Sequence, residues 1–510
     1  WAQLQHPLSV AATDTSMTVV RERGARMSDQ RAAIVEGSIP RALVSLALPL
    51  VAQNVVRVAQ QVIDTLWLGR VGETAVAAVG LTVPALGLLF ALLVTPFVGT
   101  QILVSQRVGA DDDTGARRMV VHGFLLAVVI GAIVGGAVAL GAAPLVRLVG
   151  AGPEVAPLAA VYLGTVALGL PLAGASDALE AGFVGRGDSR ASLWINVATV
   201  VVNLVLDPFL IFGVDPFPAL GVYGAALATV AGYAAGLCLA LAFALGPRMR
   251  LAPHTLSLRA DDARELLAVG APITGRQVVS QSVRVVLVGV VAIAGGAAGL
   301  VAYTVGARVA SLAVLPSRGL AQAAQSMVGQ NVGADRPTRA RQTTRVGVAI
   351  AAGLLAAIGA AQWVAPATVA RLFVPDLSGD GLALTVQYLT ILVYGYPAIG
   401  AVDLLLAGFN GAGRTRTSFV ADLLKYWGVR LPVAALALPP TAAVSLLGVR
   451  VAPGLDLGMP VVFWAVTGSN VVAAIGVGAY YAHVVRGGLF ADAVDGMREE
   501  SPDADAEPTD

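Results

Sequence analysis

The chain has 510 residues, 56% of them apolar, with 58 glycines and only 13% charged side chains. That charged share is about half of what a soluble domain carries, which excludes a disordered chain, a coiled coil and an ordinary soluble enzyme. A net charge of +1 gives no bulk attraction to nucleic acid, so the chain reads as an integral, all-α membrane protein with many spans.

Residues 1–38 lack an apolar run long enough for a signal peptide and read as a mobile tail. Twelve apolar stretches of helical length follow, at 40–69, 74–105, 118–146, 154–184, 190–213, 221–246, 265–292, 297–328, 343–371, 382–409, 417–440 and 458–485. Each meets the ~20 residues needed to cross ~30 Å of hydrocarbon. Abundant Gly and Ala suit close helix packing in lipid. Residues 248–264 read as a polar linker and 487–510 as an acidic tail. The single cysteine, Cys238, sits in an apolar run and reads as a small buried hydrophobe.

Arginines concentrate in alternate hinges: Arg107, Arg117 and Arg118; Arg186; Arg248, Arg250, Arg259 and Arg264; Arg336, Arg339 and Arg341; Arg414 and Arg416. The asymmetry of basic residues places these hinges, and both termini, in the cytoplasm of a plasma-membrane protein. The chain also repeats itself. VSQRVGADDDTGARR at 104–118 matches VGQNVGADRPTRARQ at 328–342 in nine of fifteen positions, at an offset of 224. AGFVGRGDSRAS at 181–192 matches AGFNGAGRTRTS at 407–418 in seven of twelve, at an offset of 226. Each repeat therefore holds six helices, in lobes spanning 39–247 and 265–486. An even count makes the repeats parallel, and two six-helix lobes with a cleft between them form a transporter architecture.

No nucleotide-binding loop and no His/Cys cluster is present, so neither ATP nor a bound metal or other cofactor is implied. Acids inside apolar helices are expensive and mark pathways. The first helix carries Asp64, the fifth Asn203 and Asp207 four residues apart on one face, and the sixth Thr229. Asp64 lies five residues before Gly69, Asp207 six before Gly213 and Thr229 eight after Gly221. At ~1.5 Å per residue, all three sit about 7–12 Å below the same surface. Hard oxygen donors at one depth suit a proton or Na⁺. The repeat partners of Asp64 and Asp207 are Leu287 and Leu431, so this set belongs to the first lobe alone. A second pair obeys the repeat: Asp177 and Asp403. Asp403 lies eleven residues before Arg414 and Lys425 eleven after it, which predicts an Asp403–Lys425 ion pair across a helical hairpin. Asp177 and Glu180 are alternatively cleft residues that attract a cationic substrate.

The pattern P-x14-D-x2-W-L-G, the hinge V-G-A-D-x3-G-A-R, then G-x-G-D-x-R-A, N-x3-D-P and GVYGAALAT at 221–229 resembles the multidrug and toxic compound extrusion (MATE) family, in its prokaryotic DinF-like branch. The resemblance covers 39–486. It implies two six-helix lobes forming a V, alternating access, and export of cationic or amphipathic compounds by H⁺ or Na⁺ antiport, without enzymatic chemistry and by a functional monomer. On that resemblance Asp64, Asn203, Asp207 and Thr229 are the coupling-ion positions, and Pro49 is where the first helix bends. Gln60 stands where an aromatic is common, Glu180 where the family has a site asparagine, and Ser280 where some members carry acids. A lipid-linked oligosaccharide flippase shares the broad architecture and would use a basic cleft, for which Arg276, Arg284 and Arg308 are available. A major-facilitator transporter also repeats six plus six, but its hinge motif is only approximated by Gly109, Asp113 and Arg117.

Overall fold

A computed structural model describes residues 32, 34–148, 150–214, 218–251, 259–440, 445–446, 449–450 and 454–499. The first lobe contains α1 (Ile39–Val71), α2 (Glu73–Gly109), α3 (Asp113–Leu148), α4 (Val155–Leu168), α5 (Leu170–Gly185), α6 (Ser189–Phe212) and α7 (Val222–Leu245). The second contains α8 (Ala260–Ala313), α9 (Leu315–Gly333), α10 (Pro337–Val364), the short α11 (Pro366–Phe373), α12 (Gly379–Val393), α13 (Tyr396–Gly411), α14 (Thr415–Leu423), a π-helical segment Leu424–Arg430, α15 (Leu431–Ala435) and α16 (Met459–Arg486).

These elements make the twelve spans expected. α4 and α5 are one span bent by 45°, and α12 and α13 their repeat counterpart, bent by 48°. The long α8 turns back at Gly296, whose φ of 53° and ψ of −148° break the helix; a Cβ there would be strained whatever the space. Residues 297–313 and α9 then form the eighth span, and α14 through α15 the eleventh. The ninth span ends at Val364 rather than 371, because Pro366 keeps Ala365 out of the helical region (φ −142°, ψ 57°) and restarts the chain as α11. The first helix is continuous through Pro49, although that proline cannot bond the Ser45 carbonyl.

Both repeated motifs lie at the arginine-rich end, where the lobes meet as near copies. Asp111 and Asp335 take left-handed φ values of 62° and 55°, and Gly187 and Gly413 values of 89° and 76°. Across the interface Gln106 donates to the Gly411 carbonyl at 3.0 Å, and Gln330 donates to the Gly185 carbonyl at 2.8 Å. A Cβ on Gly109 would lie 2.2 Å from the Gln330 carbonyl oxygen, and one on Gly333 1.9 Å from that of Gln106. The glycines recur because two backbones cross there at van der Waals distance. Ser326 donating to the Val184 carbonyl (2.7 Å) and Gln101 to that of Gln322 (3.0 Å) complete the seal.

Three expectations are corrected here. Ile34 and Val35 are buried, and Arg336 and Arg339 hold the carbonyls of Ile34, Val35 and Gly37, so 34–38 dock on the second lobe rather than belonging to a tail. Leu489–Glu499 forms a further helix, α17, whose Leu489, Phe490 and Val494 pack with Tyr481 and Val332. Its apolar side drives that docking despite its acidic composition. Cys238 is exposed rather than buried, on an apolar span where the neighbour is lipid. The remaining tail residues, 1–31 and 500–510, lie outside the described residues.

Candidate ion and substrate site

On α1 the polar residues Gln53, Arg57, Gln60 and Asp64 recur at spacings of four, three and four, which lines them along one helix face. That face meets α5 and α6 inside the first lobe. Toward the end opposite the arginines, Gln60 and Asn203 touch at 2.6 Å. With its amide turned to suit its neighbours, Asn203 donates to Asp64 Oδ1 at 3.3 Å, and its oxygen accepts from the Thr229 N–H at 3.2 Å. The Asp64 and Asp207 carboxyl groups lie within hydrogen-bonding reach of each other. Asp207 is buried, and its Oδ2 has no hydrogen-bond partner among the described residues. The four positions singled out in the sequence thus converge, with Thr229 present chiefly through its backbone, since its hydroxyl donates to the Ala225 carbonyl at 2.9 Å.

Tyr162 joins them, its hydroxyl facing Thr229 and the two acids. Sequence reasoning missed it. It lies seven residues into α4, counted from Val155, which at ~1.5 Å per residue is the depth of the acids.

Two turns along α1 lies a second network. Glu180 is buried; its Oε2 accepts from Gln53 (2.9 Å) and Ser192 (3.0 Å). Arg57 stands 4.0 Å from Glu180 and 3.8 Å from Asp177, and its guanidinium reaches the Asn196 amide oxygen at 2.7 Å. Glu180 is therefore enclosed rather than presented to the cleft, because two donors and the Arg57 charge satisfy it; Asp177 keeps partial exposure. Arg57, also unremarked in the sequence, was detectable as the residue four after Gln53 and seven before Asp64.

The second lobe holds different chemistry at matching places. Leu287 and Leu431, opposite Asp64 and Asp207, are both buried, Leu287 within an apolar cluster. Lys425 pairs with Asp422 at 2.7 Å, and Arg276 bonds the other oxygen of the same carboxylate. The expected Asp403–Lys425 bridge does not form: Asp422 lies one turn before Lys425 on its own helix face and takes the ammonium first. Asp403 instead accepts from Ser317 at 3.1 Å. Among the described residues, no group of three or more His, Cys, Asp or Glu side chains could hold a metal ion.

Two parallel six-helix lobes, sealed at one end and lined by polar networks in their middles, define a membrane transporter. The MatE family model matches residues 49–209 and again 272–436, once in each lobe. The chain belongs to this family, the MATE multidrug-efflux transporters, which are not enzymes. A "Probable multidrug resistance protein YoeA" from Bacillus subtilis (strain 168) is 27% identical over 432 residues, covering 81% of this chain and 90% of the relative. A "Probable multidrug resistance protein NorM" from Pseudomonas aeruginosa is 27% identical over 447 residues, covering 86% and 88%. A "FAD transporter" from Shewanella oneidensis is 24% identical over 410 residues, covering 80% and 90%. Among solved structures, an outward-facing multidrug resistance MATE transporter superposes with a TM-score of 0.81 at 23% identity, covering 89% of this chain and 98% of its own. A MOP superfamily transporter from Pyrococcus furiosus gives the same score and identity, covering 90% and 98%. These structures support the fold.

Proposed function

We propose that the chain is a secondary antiporter that exports cationic or amphipathic organic compounds from the cytoplasm across the plasma membrane in exchange for H⁺. The observation that carries this reading is the meeting of Asp64 and Asp207, with Asp207 Oδ2 left without a hydrogen-bond partner among the described residues. Two carboxyl groups at hydrogen-bonding reach share a proton or hold a cation between them. Asn203 and Thr229 fix their orientation. Na⁺ is the second reading, since carboxylate oxygens are also hard donors.

With the basic hinges in the cytoplasm, the seal between the lobes closes the cytoplasmic end and the described state faces outward. A proton then reaches Asp64 and Asp207 from outside. It removes charge from the cluster and favours bending of α1 at Pro49, where a backbone hydrogen bond is already missing. The inward-facing state releases the proton and loads substrate. Exchange follows only if ion and substrate favour different states.

Dye efflux from proteoliposomes under an imposed ΔpH or ΔNa⁺ tests the reading. Wild-type protein should export under ΔpH, and Asp64→Asn and Asp207→Asn should each fall to the protein-free rate while still reaching the membrane. Export driven by ΔNa⁺ alone would replace the proton with Na⁺. Wild-type export that ignores both gradients, or normal gradient-driven export by both variants, would overturn the assignment.

A further inference from the structure

The second lobe contains a cavity of about 700 Å³ that opens toward the first lobe at Phe97, Val98 and Gln101. Its size suits a drug-sized organic molecule. Five basic side chains line it, Arg276, Arg284, Arg318, Lys425 and Arg430, against only two carboxylates, Asp403 and Asp422. Asp422 is already shared between Arg276 and Lys425. Asp403 accepts from Ser317 and lies within the field of Arg276, Lys425 and Arg318.

Three positive charges remain uncompensated. Among the described residues, Arg430 hydrogen-bonds only to neutral groups: Ser469 Oγ at 2.9 Å, with the Val466 carbonyl and Asn470 Oδ1 at 3.2 Å. Arg284 and Arg318 have no ion-pair partner within 4.0 Å among the described residues. Excess charge at membrane depth is costly unless something pairs with it.

The local backbone builds this surface. Leu424–Arg430 is a π-helical segment, a wider turn found frequently at functional sites. It ends next to Pro432, which has no N–H to continue the α-helical ladder. The segment brings Lys425, Tyr426 and Arg430 together at the cavity wall. Lys425 Nζ lies 4.2 Å from the centre of the Tyr426 ring, and the Arg430 guanidinium carbon 4.6 Å. The electron-rich face that would attract a cationic ligand is thus occupied by the protein's own cations. Tyr303 and Tyr388, stacked with ring centres 6.1 Å apart, supply an aromatic wall.

We infer that this second-lobe cavity binds the anionic group, a carboxylate or a phosphate, of an aromatic amphiphile, with Arg284, Arg318 and Arg430 as its charge partners. The inference rests on the reading of the cleft as the substrate route. It narrows the substrate class from cationic compounds to those that also carry, or carry only, a negative group. Guanidinium forks match both carboxylate and phosphate oxygens.

The test uses the purified full chain in nanodiscs of zwitterionic lipid, with fluorescence anisotropy of fluorescein and of a rhodamine ester, its cationic counterpart of similar shape. Fluorescein should bind wild type, and weaken about tenfold or more in Arg284→Gln and in Arg318→Gln, with part of the affinity restored in Arg284→Lys. The rhodamine ester should bind no worse in these variants and better in Arg284→Glu, a gain that misfolding does not produce. Fluorescein affinity unchanged in the double Arg284→Gln/Arg318→Gln variant, or rhodamine binding with no fluorescein binding in wild type, would overturn the site. Loss of the anion site with gradient-driven rhodamine efflux intact leaves the antiport reading standing. Fluorescein binding with no gradient-driven efflux of any dye removes the antiport reading and leaves the site.

Discussion

At the arginine-rich end the two lobes are near copies; in their middles they are not. Gln106 bonds Gly411 as Gln330 bonds Gly185, and Gly109 and Gly333 let the same two strands of backbone cross. Two turns or more into the membrane the likeness stops. The first lobe has Asp64 facing Asp207, where the second has two buried leucines, Leu287 and Leu431. The second lobe instead has a carboxylate shared by two cations and a basic cavity. Symmetry survives where both lobes do the same mechanical work of closing one end. It is lost at the acid pair, in the lobe that on the proposed function handles the ion.

The largest effect on stability should come from Asp422. Asp422→Asn leaves buried Lys425 and half-buried Arg276 without their shared carboxylate, and breaking a buried group of this kind costs about 3–5 kcal/mol. Thermal unfolding in detergent should show a clear fall, with part of it recovered in Asp422→Asn/Lys425→Met. Asp403→Asn should cost less, because Asp403 makes only the Ser317 hydrogen bond. A larger loss for Asp403→Asn than for Asp422→Asn would restore the Asp403–Lys425 pair as the structural bridge.

A smaller effect is expected at the seal. Gly109→Val and Gly333→Val each force two backbones apart, at about 1–3 kcal/mol of overpacking. That bias should raise the reactivity of a cysteine at Ser326, in a Cys238→Ala background, toward a thiol reagent supplied from the cytoplasmic side. The two substitutions should act alike. A response to only one would break the symmetry, and labelling only by an impermeant reagent added outside would reverse the orientation.

How much of this was legible depended on periodicity and composition. Twelve apolar stretches and the convergence of Asp64, Asn203 and Asp207 followed from helix length and depth counting, because lipid imposes both; the duplication followed from two motif matches at offsets of 224 and 226. Arg57 and Tyr162 were missed for a different reason. A single arginine on an otherwise apolar helix reads as an end or a snorkelling residue until the four-three-four spacing with Gln53, Gln60 and Asp64 is noticed, and a tyrosine in a membrane span carries no charge signal. The Asp403–Lys425 pairing failed because depth matching across a hairpin ignored a carboxylate one turn away. The π-helical segment, the docking of residues 34–38 and the enclosure of Glu180 depend on tertiary neighbours, which no local pattern encodes.

The central claim is that the coupling proton acts on substrate binding through the first-lobe pair Asp64 and Asp207. Its most direct test is the affinity of the purified protein for an exported dye, measured across pH in wild type, Asp64→Asn, Asp207→Asn and Asp403→Asn. A proton that displaces substrate makes wild-type affinity fall as pH falls. Asp64→Asn and Asp207→Asn should still bind, with affinity that no longer follows pH, and Asp403→Asn should keep the wild-type dependence. An undiminished pH dependence in Asp64→Asn and Asp207→Asn, or its loss in Asp403→Asn, would contradict the account.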